Sequence, residues 1–133
     1  MGSENVEIVA LMYDCFRRRD NATPFDYYAE DVVWDARGAQ ILGLDQVFRG
    51  HDGVRSFWRQ WLEAWEEIEF EMEGPTELED GRVEVLVRQR NRGHGTGIWI
   101  DQDPYVHRWT VVGGKVTRVE FAWAGRAAPG LDD

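Results

Sequence analysis

Residues 54–73 read VRSFWRQWLEAWEEIEFEME, and this stretch changes its periodicity halfway along. In the first half Val54, Phe57, Trp58, Trp61, Leu62 and Trp65 recur at i, i+3, i+4, i+7, i+8 and i+11, the spacing of one helix face. Glu63, Glu66 and Glu67 fall mostly off that stripe. In the second half Ile68, Phe70 and Met72 point one way while Glu67, Glu69, Glu71 and Glu73 point the other, the alternation of a half-buried strand. A helix with so broad an aromatic face needs something flat to lie on, and a sheet is the natural partner.

The flanks extend both patterns. Downstream, Gly74-Pro75 interrupts the alternation and Asp80-Gly81 marks a hairpin turn. Val83, Val85 and Val87 then carry the inward face of the next strand. A long strand is predicted over about 98–112, with a bulge or an edge at Pro104, which has no N–H to give a ladder. Gly113-Gly114 turns the chain into a last strand over 116–123. Upstream, a first helix is predicted over about 4–19, with Val6, Val9, Tyr13 and Phe16 on one face. Glu4 and Glu7 near its start and Arg17, Arg18 and Arg19 at its end suit the helix dipole. Thr23-Pro24 reads as the capped opening of a second, short helix. Residues 31–35 read as a strand, and 36–50, with Gly38, Gly43 and Gly50, as a loop long enough to frame a pocket mouth. Helices followed by a run of antiparallel strands give an α+β domain. A sheet curled around the long helix leaves a cone-shaped cavity at its open end.

The totals narrow the function. A chain of 133 residues fits one domain with a core that needs no staples, and the single Cys15 allows no internal disulfide. That cysteine usage and the absence of a leader-like N-terminus point to a cytoplasmic protein. A formal net charge of −10 opposes binding to phosphate backbones and anionic lipid surfaces, so neither nucleic acid nor membrane is expected as a partner. His51, His94 and His107 lack a metal-ligand spacing, and no glycine-rich phosphate loop follows a strand; no metal and no cofactor are expected. The seven tryptophans are the unusual feature: they either fill a core or line a pocket for a ring-shaped ligand.

The order of several segments resembles SnoaL-like domains of the nuclear transport factor 2-like superfamily. The segments are Glu4-Asn5-Val6-Glu7, Asp31-Val32-Val33-Trp34, Arg49-Gly50-His51-Asp52-Gly53-Val54, Val87-Arg88-Gln89-Arg90, His107-Arg108-Trp109-Thr110 and Gly114-Lys115-Val116. The resemblance spans about 3–124. It implies a cone-shaped, curved antiparallel sheet around a long helix, with two further N-terminal helices. It also implies a deep pocket for a small hydrophobic ligand and, commonly, a homodimer packed through the outer sheet surface. The superfamily includes ketosteroid isomerases, polyketide cyclases, scytalone dehydratase and limonene epoxide hydrolase, so the fold alone does not name a reaction. One domain over 1–124 and a loose tail over 125–133 are expected.

Reactions that move a proton next to a carbonyl need a base and a donor for the developing oxyanion. In steroid isomerase-like relatives an aspartate just past the 31–35 strand is the base. Aligned on Glu30-Asp31 it falls on Ala36, so Asp35 is a candidate if the strand is bulged and a strand-end acid if it is not. The relatives' oxyanion tyrosine aligns beside Tyr13, on Met12; the alternative for Tyr13 is a core aromatic. His107 shares a strand face with Tyr105, Trp109 and Val111 and is the preferred acid or base, its alternative a structural histidine. The relatives' second acid aligns with Val106, on the opposite face. Gln89 and Asn91 continue the inward face of Val83, Val85 and Val87 and would orient a ligand, while Arg88 and Arg90 point outward. Trp34, Trp58, Trp61 and Trp109 complete the substrate-binding candidates. Glu120 should face out, and the acid that many relatives carry late in the last strand is Trp123-Ala124 here. The expected function is isomerase, cyclase or dehydratase chemistry by general acid/base transfer on a carbonyl compound. A non-catalytic ligand-binding or dimerisation module of the same fold is the alternative.

Overall fold

The helical stripe and the alternating run meet without a loop. Helix α2 spans Gly50–Ala64, and Trp65 (φ −128°, ψ 142°) is already extended and opens strand β3. The sequence pattern had carried the helix one residue further. The computed structural model describes residues 3–37 and 46–123. Within them the chain forms α1 (Ser3–Arg18), a single 3₁₀ turn (Thr23–Asp26), β1 (Tyr28–Asp35), β2 (Val47–Arg49), α2, β3 (Trp65–Glu77), β4 (Val83–Gly93), β5 (Trp99–Val112) and β6 (Lys115–Trp123). The proposed tail over 125–133 and most of the 36–50 loop lie outside the described residues.

The fold is mixed α+β, with one six-stranded open sheet in the order β2-β1-β6-β5-β4-β3. Two expectations need correction. The sheet is not wholly antiparallel, because β1 runs parallel to β6, with Trp34 opposite Val119 and Asp35 opposite Glu120. Side-chain alternation is blind to strand direction, so the sequence could not reveal this pair. The second N-terminal helix is only the four-residue 3₁₀ turn. Its cause is Asp20, whose Oδ1 accepts from the Ala22 and Thr23 amides and whose Oδ2 accepts from the Thr23 hydroxyl at 2.6 Å. Thr23 is thus held by Asp20 instead of capping the turn, and the N-cap residue, Ala22, makes no side-chain cap bond.

Interruptions in the ladders bend the sheet. The register shifts between Trp65 and Glu67 and between Glu73 and Thr76 on β3, and between Thr110 and Val111 on β5. Where β4 passes from Val87 to Gln89, β5 passes from Tyr105 to Gln102. That extra β5 residue beside Pro104 is the bulge its missing N–H led us to expect. Both helices pack on one side of the curved sheet, α1 against β3 and β4, α2 against β1, β2 and β3. Gly53 lets α2 approach closely: a Cβ there would lie 3.0 Å from the Phe48 carbonyl carbon. Val54, Phe57 and Trp61 are buried beneath α2, each large side chain contributing roughly 2–3 kcal/mol by leaving water.

Candidate functional site

The two helices and the curved sheet do not meet everywhere, and a cavity of about 300 Å³ remains between them. That volume is at the small end of ligand pockets. Tyr13 and Phe16 of α1 form one wall, and Phe57, Trp58 and Trp61 of α2 another. Trp65, Ile68 and Phe70 of β3 close the side, because inward parity on β3 continues the apolar stripe of α2. Val87, Gln89, Tyr105, His107 and Phe121 make the floor, with Trp34 at its end. Arg19, Asn21, Glu66 and Glu67 also line it, bringing polar groups to an otherwise aromatic boundary. The tryptophans therefore both fill and line: Trp34 sits against Tyr28, Phe57, Trp58, Trp109 and Phe121 at ring separations of 5.4–6.1 Å.

Two polar groups interrupt the floor. The first is built across α1 and β5. Trp109 Nε1–H donates to the Tyr13 hydroxyl oxygen at 2.9 Å, and that hydroxyl lies 2.5 Å from His107 Nδ1. The tyrosine and imidazole rings are stacked, 22° apart, and the imidazole edge meets Phe121 at 4.3 Å between centroids. The other imidazole nitrogen, Nε2, is buried and has no hydrogen-bond partner. Burial alone pushes the His107 pKa down from 6.5 to about 3, so the ring is neutral at ordinary pH. Burial likewise raises the Tyr13 hydroxyl well above its ordinary value, against the lowering effect of the Trp109 bond. The second group is a chain on β4 and β5. Tyr105 donates to Gln89 Oε1 at 2.5 Å, and Gln89 Nε2 donates to Asn91 Oδ1 at 2.8 Å.

The structure brings Tyr13, Trp34, Trp58, Trp61, Gln89 and His107 together around the cavity. It places Asp35, Asn91 and Trp109 elsewhere. Trp109 is fully buried behind Tyr13, and Asn91 stands behind Gln89. Asp35 belongs to an ion-pair ladder: Arg37 Nη2 lies 2.8 Å and Arg118 Nη2 3.2 Å from its Oδ2. The Arg37 hydrogen bonds hold its carboxyl below the usual carboxylate range, against the opposing pull of burial. The ladder continues through Arg118 to Glu120 and on to Arg82, in keeping with the outward orientation expected of Glu120. Arg88 reaches Glu73, whereas Arg90 reaches Asp101 and stacks on Trp99. Tyr105 and Phe121 line the cavity although sequence reasoning did not single them out. Their signal was parity, since Tyr105 precedes His107 by two residues and Phe121 pairs with it across β6.

Among the described residues no group of three or more His, Cys, Asp or Glu is placed to hold a metal ion. No helix in them is long and apolar enough to cross a membrane.

Solved structures share this architecture. TerC, co-crystallised with polyporic acid, is 26% identical over 96% of this chain and 97% of its own, with a TM-score of 0.76. An NTF2-like protein of unknown function from Burkholderia pseudomallei is 26% identical over 96% of each chain, with a TM-score of 0.77. Bal32a, from a soil-derived mobile gene cassette, reaches a TM-score of 0.79 at 16% identity and speaks to the fold alone. No curated protein matches the chain. Residues 9–119 match the SnoaL-like domain, from α1 through most of β6. On that match, which covers most of the chain, the protein belongs to the SnoaL-like domain family.

Proposed function

We propose that the cavity binds a small aromatic or polycyclic carbonyl compound and that His107 contacts its oxygen, serving isomerase, cyclase or dehydratase chemistry without a cofactor. The observation that carries this reading is the buried, unpartnered His107 Nε2 in the wall of an aromatic cavity. A buried polar atom left unpaired costs roughly 1–3 kcal/mol, and a ligand oxygen that pairs with it recovers that cost. The co-crystallisation of TerC, a structural relative over nearly its whole length, with polyporic acid supports a small organic ligand. Proton transfer at such a site proceeds through neutral donors, because Tyr13 and His107 are both uncharged here.

A second reading, binding without turnover, is favoured by one observation. Among the described residues the carboxylates lining the cavity are Glu66 and Glu67, both more than two-fifths exposed and both within reach of Arg92. Neither resembles a buried general base. One experiment separates the readings. Quenching of tryptophan fluorescence is followed while polyporic acid or 1,4-naphthoquinone is added, and dehydration of β-hydroxy ketones is then followed by enone absorbance. Saturable quenching with His107-dependent turnover supports the enzyme. Saturable quenching with no turnover supports the binder, and no quenching removes both. The homodimer and cytoplasmic location are part of the same proposal; light scattering in solution tests the first.

A further inference from the structure

Hydrogen-bond donors around Tyr13 can be counted one by one. An indole N–H donates and never accepts, so the Trp109 bond occupies a lone pair of the Tyr13 oxygen. Tyr13 has a single hydroxyl proton, and the acceptor within its reach is His107 Nδ1. If Nδ1 held a proton instead, two donors would converge on the tyrosine oxygen and its own proton would be left buried without an acceptor. With the hydroxyl donating, Nδ1 is a lone pair, and in a neutral imidazole the ring proton must then sit on Nε2.

We propose that Trp109 and Tyr13 together lock His107, a residue of the cavity wall, in its Nε2–H tautomer, so that the site selects ligands offering an acceptor oxygen (a carbonyl, quinone or phenolate) over apolar ligands that offer none. Trp109 is then a positioning residue: it touches no ligand and acts through Tyr13. This deepens the carbonyl-ligand reading above and partly rests on it, although the tautomer itself is a property of the unliganded protein. It also revises the role of His107. A nitrogen that already carries its proton can donate to an oxyanion but cannot begin as a base. The rings around His107, those of Tyr13, Tyr105, Trp109 and Phe121, supply no charge that would override the lock.

The test is long-range nitrogen–proton NMR on protein labelled in its histidine rings, with His107 assigned by its absence in His107→Phe. The expected result is a protonated Nε2, an unprotonated Nδ1 and a far-downfield Tyr13 hydroxyl proton. In Trp109→Phe the tyrosine oxygen regains a free lone pair, so the hydroxyl signal should move and the Nδ1–H tautomer should gain population. A wild-type ring protonated at Nδ1 overturns the lock even if Trp109→Phe does not fold. Unchanged ring nitrogen shifts in a folded Trp109→Phe protein overturn the role of Trp109. Binding of 1,4-naphthoquinone and of naphthalene is compared in parallel. The quinone should bind about tenfold more tightly in the wild type, and that preference should shrink in Trp109→Phe. Equal binding of the two overturns the selection of acceptors. If neither binds, the ligand reading above falls while the nitrogen shifts still decide the lock.

Discussion

His107 and Asp35 are equally buried, each 8% exposed, yet they sit in opposite kinds of environment. Asp35 is charged, and two arginines within 3.2 Å satisfy it. His107 is neutral, satisfied at Nδ1 and unpartnered at its buried Nε2. The arginines that hold Asp35 are 63% and 39% exposed, so that ladder keeps its charges close to water. The rings that hold His107 admit no charge at all. Burial by itself therefore says little about function; what matters is whether the buried polar atom already has its partner. Asp35 does, and it fastens β1 to β6 through Arg118. His107 does not, and it faces a cavity.

The two regions should break differently. The largest effect is expected on the aromatic side, where packing carries the energy. Trp34→Ala should destabilise by about 3–5 kcal/mol in urea unfolding, because five aromatic partners lose contact and the cavity cannot collapse to compensate. Next comes pH. The folded-state value of His107, about 3, lies below its ordinary 6.5, so the unfolded chain takes up the proton first. The associated stability is complete above pH 6.5 and is lost as pH falls toward 3, with roughly 2–3 kcal/mol gone by pH 4.5. Urea unfolding at pH 7.5 and 4.5 reads this, and His107→Phe should flatten the difference. The Asp35 contribution has the same sign but a lower window, fading only as pH drops below the ordinary carboxylate value of 3.8.

A smaller effect is expected on binding. His107→Phe removes one hydrogen bond to the ligand and should weaken quinone affinity by about 3- to 10-fold in fluorescence titration. The smallest is expected from Asp35→Asn. Its arginines stay solvated, so the loss should be about 1 kcal/mol or less and should shrink with added salt, while quinone affinity stays unchanged. A large loss of binding in Asp35→Asn would reinstate Asp35 at the cavity and dissolve the contrast between the two regions.

Particular residues show how far the sequence could be read. The α2 stripe and the β3–β6 alternation were legible because each is a period that burial enforces, and the structure buries Phe57, Trp61, Val83, Val85, Tyr105, His107 and Trp109 as those periods require. The Pro104 bulge was legible because a missing N–H has a fixed consequence. The second helix was misread because Thr23-Pro24 is a good local opening only if no other group holds Thr23, and Asp20 does. Asp35 was a reasonable base until its partners were visible; one of them, Arg118, is 83 residues away. Trp109 was taken as a ligand contact because its parity was right, but parity does not tell the lining of a cavity from the layer behind it.

The chain alone determined which faces are apolar, where helix gives way to strand, and that His107 points inward, since these follow from local periodicity and the cost of burying charge. Tertiary structure decided the rest: that β6 lies parallel to β1, that Asp35 pairs with Arg118 across those strands, and that Tyr13 of α1 meets His107 and Trp109 of β5. Those outcomes depend on partners more than 80 residues apart, whose donors and acceptors become complementary only when the sheet curves around the helices and brings them within hydrogen-bonding distance.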